Sequence, residues 1–276
     1  MYLYFFHNNY INIKLKGDFL ILITKDMNIV NKSKRIMQAP PKTSESVRLG
    51  VLLAIVGGFL DAYTFICRGG VFANAQTGNI VLFGVEATKG NFRQAFMAFL
   101  PILAFIIGIL VTEKIKDFKF PSSTSVTYSD RIILLIEILV LFVIGFIPTT
   151  VPNAFVTIPI SFVSSVQIAS FAKLVDSPYS TTMCTGNLRF ASQSAYTAFV
   201  KKDSNSATKT VRYAMVIVSF IIGCCFSGIL TSQFGVKSIW FAVIVLILSF
   251  SLFSIDEYIF KYYERKQQKN HKRNLF

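Results

Sequence analysis

Asp61 is the single acid inside the first long apolar run of the chain, and its neighbours are spaced to share its side of a helix. Gly57, Asp61, Thr64 and Arg68 fall at i, i+4, i+7 and i+11, which makes one narrow stripe. An ionisable group inside a membrane span costs at least ~2.5 kcal/mol and usually faces a partner or a water-filled cavity. Two roles fit Asp61: a substrate or proton site, or a lock that caps or hydrogen-bonds the polar segment that follows. Arg68, at the end of the run, would either offer charge to an anionic group or snorkel to lipid headgroups.

That polar segment, FANAQTGNIVLFG from Phe72 to Gly84, places Asn74, Gln76, Thr77 and Asn79 close together. STTMCTGNLRFAS, Ser180 to Ser192, repeats the Thr-Gly-Asn with Thr185, Gly186 and Asn187, and Arg189 follows two residues on. A half-helix that starts within a membrane presents unpaired N–H groups and the positive end of its dipole, which suits an anion or a polar solute. Asn and Thr would cap such a start, and Gly lets the backbone turn sharply or approach a neighbour. The competing role for Gly78 and Gly186 is close helix packing, which explains Gly but not Asn or Thr. Gln167, with Ser161, Ser164, Ser165 and Ser170 on another apolar run, would line the same cavity, although serines also bond to their own helix. Glu137, flanked by leucines inside its run, is either a proton-handling group or an interhelical tie.

Other chemistries lack residues. The two histidines, His7 and His271, lie in the tails, so a buried Ser-His or Cys-His pair and a His-based metal centre are not expected. Asp61 has no acidic mate apart from Glu137. The four cysteines, Cys67, Cys184, Cys224 and Cys225, have neither disulfide-framework nor zinc spacing. The expectation is therefore a non-enzyme with no catalytic residue, metal or cofactor.

The elements that must hold these residues are apolar helices. Hydrophobic residues make up 53% of the 276, and charged ones 15% against roughly 25% in a soluble domain. A spanning helix needs about 20 mainly apolar residues. Six stretches come close: Leu49–Ile66, Ala95–Thr112, Ile132–Ile147, Ala154–Ala172, Val211–Leu230 and Ile239–Ser254. The formal charge of +14 gathers in the tails and a few loops, where it reads as topology signal and lipid-headgroup contact, not nucleic-acid binding. Residues 1–45 hold only a short apolar piece, Phe19–Thr24, and no secretory signal; a natural start at Met27 or Met37 would make them an upstream extension.

Basic residues place four segments in the cytoplasm: the amino-terminal tail (Lys32, Lys34, Arg35, Lys42, Arg48), the Glu113–Arg131 loop, the Lys201–Arg212 loop and the carboxyl tail at 256–276. Pro148–Asn153 has no charge and Ser232–Ser238 has only Lys237, so both are expected outside. Threading the chain through these anchors makes each Thr-Gly-Asn segment re-entrant or interfacial. Lys89 and Arg93 then lie outside, a mild violation of the charge rule. Residues 46–148 and 149–255 each read helix, polar segment, helix, helix. Three crossings per unit set the second upside down relative to the first, a recurrent transporter plan.

GGFLDAYTFICRGGVFANAQTGNIVLFG, Gly57 to Gly84, with MCTGNLRFASQSAYTAF, Met183 to Phe199, closely resembles the YoaK family of bacterial membrane proteins, domain of unknown function 1275. The resemblance covers about residues 46–255 and implies a six-span protein of the bacterial inner membrane. It supplies no substrate. The expectation is an all-α, polytopic protein with two inverted repeats and cytoplasmic termini. It would contact lipids, leave homo-oligomerisation open, and move or bind a small polar or anionic solute. The alternative is a non-transporting accessory or scaffold protein.

Overall fold

The computed structural model describes residues 46–117, 125–175, 177–252, 254, 255 and 258. The amino-terminal tail with Met27, Met37 and His7, the basic tail at 259–276 with His271, and Lys119 lie outside the described residues.

Among the described residues, each expected apolar run is helical over most of its length. The first half holds α1 (Val47–Cys67), α2 (Gln76–Thr88), α3 (Phe92–Asp117) and α4 (Ser125–Ile144). The second holds α5 (Ala154–Ser170), α6 (Cys184–Lys201), α7 (Ser204–Phe234) and α8 (240–252). A 3₁₀ turn, Gly235–Ile239, joins α7 to α8, with Gly235 at φ +55° ending α7. The departure from helix is a two-residue hairpin before α6, Lys173–Leu174 against Ser177–Pro178.

By length and apolar composition, Val47–Cys67, Phe92–Lys116 and the run Ser204–Leu252 can cross a membrane, and α5 is a shorter apolar helix. Exposed apolar side chains agree with a lipid setting: Leu110 on α3, Leu139 on α4 and Ile229 on α7 all face outward. A soluble helix would bury that face.

The packing pattern survives an exchange of the two halves. The first helix of each half lies along the third helix of the other, α1 on α7 and α5 on α3. The second helix of each half packs on its own third helix, α2 on α3 and α6 on α7. Glycine permits both crossings. A Cβ on Gly58 would collide with the Phe220 carbonyl, and one on Gly223 with the Ile55 carbonyl. On the other side, a Cβ on Gly108 would collide with Ser165 Oγ. Such small-residue contacts let backbones approach closely where lipid removes the hydrophobic drive. The Cys224 thiol crosses the first gap to donate to Gly58 O at 3.2 Å.

α1 is the central helix. Leu49, Leu53, Val56, Phe59, Leu60 and Tyr63 are buried in a cluster with Leu134 and Leu141 of α4, Ile160 of α5 and Leu246 of α8. Its polar stripe is buried too, and Arg48, in the first turn, is its exposed charged residue.

Candidate functional site

The stripe on α1 is the seat of the first polar loop. Asp61 Oδ1 accepts from the backbone N–H of Asn74 at 2.7 Å and of Ala75 at 3.3 Å. Thr64 Oγ1 accepts from Ala73 N at 3.1 Å, and Asn74 Nδ2 donates to Gly57 O at 3.2 Å. Three successive loop residues are thus fixed by three stripe residues spaced one helical face apart. Asp61 is buried, and its second oxygen, Oδ2, has no hydrogen-bond partner.

Arg68, the fourth stripe residue, does something else. It is fully buried, with Nη2 donating to Ile147 O at 2.7 Å and to Tyr63 Oη at 3.1 Å, and Nη1 to Pro148 O at 3.3 Å. Tyr63 Oη passes its own proton to Val236 O at 3.2 Å. The guanidinium fork therefore ties the end of α1 to the chain just past α4 and to the turn before α8. Neither an exposed headgroup position nor a direction toward Asp61 describes it. Arg189 is exposed, 4.8 Å over the ring of Phe190.

The repeated tripeptides lie inside the first helical turns and not at the caps. The N-cap residues are Ala75 and Met183, and neither start has a side-chain cap. Asn79 and Asn187 instead reach back seven residues. Asn79 Oδ1 accepts from Phe72 N at 2.9 Å while its Nδ2 donates to Phe72 O at 2.6 Å. Asn187 Oδ1 accepts from Ser180 N at 3.2 Å while its Nδ2 donates to Ser180 O at 2.7 Å. Each amide copies a peptide pairing and closes its loop into a bracket. Asn suits the task because it offers one acceptor and two donors on a short stem. Thr77 and Thr185 are exposed. Gly78 leaves room for the Phe72 ring, whereas Gly186 has open space around it, so the packing role applies to neither a neighbouring helix nor both glycines.

Polar side chains of the second half meet this arrangement. Gln76 Nε2 donates to Ser161 Oγ of α5 at 2.9 Å, and Ser161 Oγ sits 2.8 Å from Ala73 O and 2.9 Å from Pro101 O. Gln167 Nε2 donates to Glu137 Oε2 at 2.9 Å, and Thr181 Oγ1 donates to Gln167 Oε1 at 3.4 Å. Beside Thr181, the Thr182 methyl lies 2.6 Å from where a Gly57 Cβ would stand, so the second loop presses on the same residue that Asn74 contacts. Asn74 from one loop and Thr182 from the other thus flank Gly57, one turn from Asp61. Glu137, Asn74, Thr182 and Ser164 share with Asp61 a buried oxygen that has no partner.

Sequence reasoning did not anticipate Tyr63, Thr181 or Thr182. Tyr63 lies off the stripe, and the two threonines stand ahead of the repeated tripeptide that drew attention. Two carboxylates outside this region, Glu86 and Asp203, are locally paired. Hydrogen bonds from Lys89 and then Asn91 hold the Glu86 carboxyl below the usual range. The Ser206 hydroxyl and backbone do the same for Asp203, which caps α7.

The comparisons agree with a membrane protein. Residues 49–252 match the model of the family described as Protein of unknown function (DUF1275). The chain belongs to this family. It is 25% identical over 204 residues to UPF0700 transmembrane protein YoaK of Bacillus subtilis (strain 168), covering 71% of the chain and 88% of that relative. No solved structure matches. The DUF1275 match spans α1 through α8, so both brackets, Asp61 and Glu137 fall within the family's domain.

Proposed function

We propose that the chain is a non-enzymatic transporter of a small polar solute, built from two inverted halves with six spans in a bacterial inner membrane and both termini in the cytoplasm. The observation that carries this reading is the convergence of the two bracketed loops on Gly57, where Asp61, Asn74 and Thr182 each keep a buried oxygen without a partner. Interrupted helices that meet around a polar centre are how many secondary transporters hold their cargo. The exchange-symmetric packing supports the repeat, and the half-length α2 supports a re-entrant segment. Arg68 uses its donors on carbonyls and Arg189 is exposed, so anion selectivity has no support from either. In this reading the solute contacts narrow to Asp61, Asn74, Gln167 and the added Thr182.

A second reading is favoured by Asn79 and Asn187, whose amides are taken up in pairwise bonds to their own loops, as a scaffold or accessory protein would have them. Reconstitution decides between the two. Proteoliposomes of the full chain should accumulate at least one member of a labelled small-metabolite panel, and Asp61→Asn should remove that uptake without loss of folded protein. Uptake at the level of empty liposomes across amines, amino acids, sugars and organic acids would sink the transporter. Single cysteines test the inversion. Impermeant reagents applied to intact cells should label Thr149→Cys and spare Lys116→Cys, and the reverse pattern would overturn it.

A further inference from the structure

The meeting point of the loops holds buried oxygens without partners. Asp61 Oδ2, Asn74 Oδ1 and Thr182 Oγ1 belong to side chains only 4%, 1% and 3% exposed, and none has a hydrogen-bond partner. Their other polar atoms are fixed, with Asp61 Oδ1 under two loop N–H groups and Asn74 Nδ2 on Gly57 O. Three nearby donors are committed elsewhere. The Cys224 thiol donates to Gly58 O, Tyr63 Oη to Val236 O, and Arg68 to carbonyls and Tyr63. The titratable groups that face Asp61 from the elements around it are the thiols of Cys184 on α6 and Cys224 on α7. The loop residues Ala73–Ala75 and Thr181–Thr182 bring none. Glu137 stands at the far end of the Gln167–Thr181 line, and it too has no cationic partner.

A buried carboxylate without a counter-charge is expensive, by several kcal/mol per ion, and buried polar groups without partners need an explanation. A buried carboxylate without a cationic partner, beside an unpartnered amide oxygen and an unpartnered hydroxyl, has the composition of a hard-cation site. Oxygen ligands from carboxylate, amide and hydroxyl groups are what hard cations take. We propose that Asp61, Asn74 and Thr182 bind one monovalent cation, either a sodium ion held by all three oxygens or a proton carried on the Asp61 carboxyl. The cation neutralises Asp61 at the point where the loops from both halves meet. It is then positioned to couple its own movement to that of the solute, a role that rests on the transport reading, whereas the binding itself does not.

The test needs no solute. Purified full-length protein is melted in detergent in sodium chloride, potassium chloride or choline chloride at constant ionic strength, and separately across a pH series in choline. A ligand that binds only the folded state raises the midpoint as its concentration rises above the dissociation constant. If the cation is sodium, sodium alone should raise the wild-type midpoint in a saturable way, Thr182→Val should lose most of that shift, and Asp61→Asn all of it. If it is a proton, the sodium series should be flat. The wild type should then gain stability relative to Asp61→Asn as pH falls, with Thr182→Val following the wild type. Equal behaviour of wild type and Asp61→Asn in both series overturns the site. Should Asp61→Asn not fold, dicyclohexylcarbodiimide decides, because a protonated carboxyl adds its O–H across the carbodiimide to give an O-acylisourea, whose acyl group then migrates to nitrogen as a stable N-acylurea. Labelling of Asp61 that sodium or high pH prevents supports the site. An unlabelled Asp61, with Thr182→Val matching the wild type, overturns it. A cation response without uptake in liposomes would retire the transport reading and leave this site standing, and uptake without a cation response would do the opposite.

Discussion

The two bracketed loops are built by the same device and seated by different ones. In both, an Asn at the fourth helical residue grips the backbone seven residues earlier, Phe72 in one and Ser180 in the other. The seats differ. Counting back from the C-caps, Arg68 and Phe171, places Thr64 level with Gln167 and Asp61 level with Ser164. In the first half Asp61 and Thr64 take the loop N–H groups directly. In the second half Ser164 has no partner, and Gln167 reaches the loop through Thr181 while turning its amide to Glu137 on α4. The second connection is also longer, Phe171 to Met183 against Arg68 to Ala75, and is pinned from outside by Tyr213 Oη donating to Pro178 O at 2.8 Å. Duplicated geometry with divergent chemistry teaches that the bracket belongs to the fold. Any selectivity belongs to what lies behind it.

The largest effect should come from the crossings that the halves share. Gly58→Ala and Gly223→Ala each drive a methyl into a facing carbonyl, so each should destabilise by ~1–3 kcal/mol or more in thermal unfolding of purified protein. Gly108→Ala should cost less, because its nearest obstacle is the movable Ser165 hydroxyl and the Phe162 carbonyl behind it, at 2.7 Å, lies farther off than the carbonyls facing Gly58 and Gly223. Gly228→Ala, with nothing within 4 Å, is the neutral control. Equal losses at Gly108 and Gly223 would show that the two crossings are interchangeable.

Removing the brackets ranks next. Asn79→Ala strands the N–H and C=O of Phe72, both only part-buried, so the loss should lie toward the lower end of the ~1–3 kcal/mol that an unpartnered buried group costs. Asn187→Ala should cost less, since its bond from Ser180 N is the longer one at 3.2 Å. As no hydrogen bond links the brackets, the double variant should be additive within ~0.5 kcal/mol. A larger departure would expose an occupant that both loops hold.

The seats should separate more clearly but more weakly. Asp61→Ala removes the acceptor for two loop N–H groups and should destabilise, whereas Ser164→Ala deletes a hydroxyl with no partner and should be neutral or slightly stabilising. A matching loss at both positions would mean that the halves are seated alike after all. The smallest effect concerns the third helices. Asp203 caps α7 through Asn205 N and Ser206 N, and its lowered folded value makes the cap a source of stability at neutral pH. That contribution is lost as pH falls below the ordinary carboxylate range and through the lowered value. Asp203→Asn should flatten this acid limb of the melting profile without moving the neutral midpoint by much.

Helix positions were legible because lipid contact and burial both select apolar residues. The run Leu49–Ile66 became Val47–Cys67, and Ala154–Ala172 became Ala154–Ser170. The long polar start of α7 was not, since Ser204 to Thr210 carries no hydropathy signal and is helical through its Asp203 cap and α6 packing. The α1 stripe was readable as a stripe, and three of its residues do share one partner. The bracket was hidden for a physical reason: a contact seven residues back across a loop follows neither helical nor strand periodicity. Arg68 was out of reach as well, because its acceptors lie nearly eighty residues on, at Ile147 and Pro148.

The Arg68 knot also sets where the molecule can hinge. It binds the end of α1, the chain leaving α4 and the turn leading into α8 through one rigid planar cation and one phenol. These parts of the bundle are clamped at that end, while among the described residues no hydrogen bond from α2, α3 or α6 joins it. Any shape change that keeps the knot tied must treat it as a fulcrum. The far ends of α1 and α4 then swing through the longest arcs, and the loops near Asp61, which lie closer to the pivot, shift least.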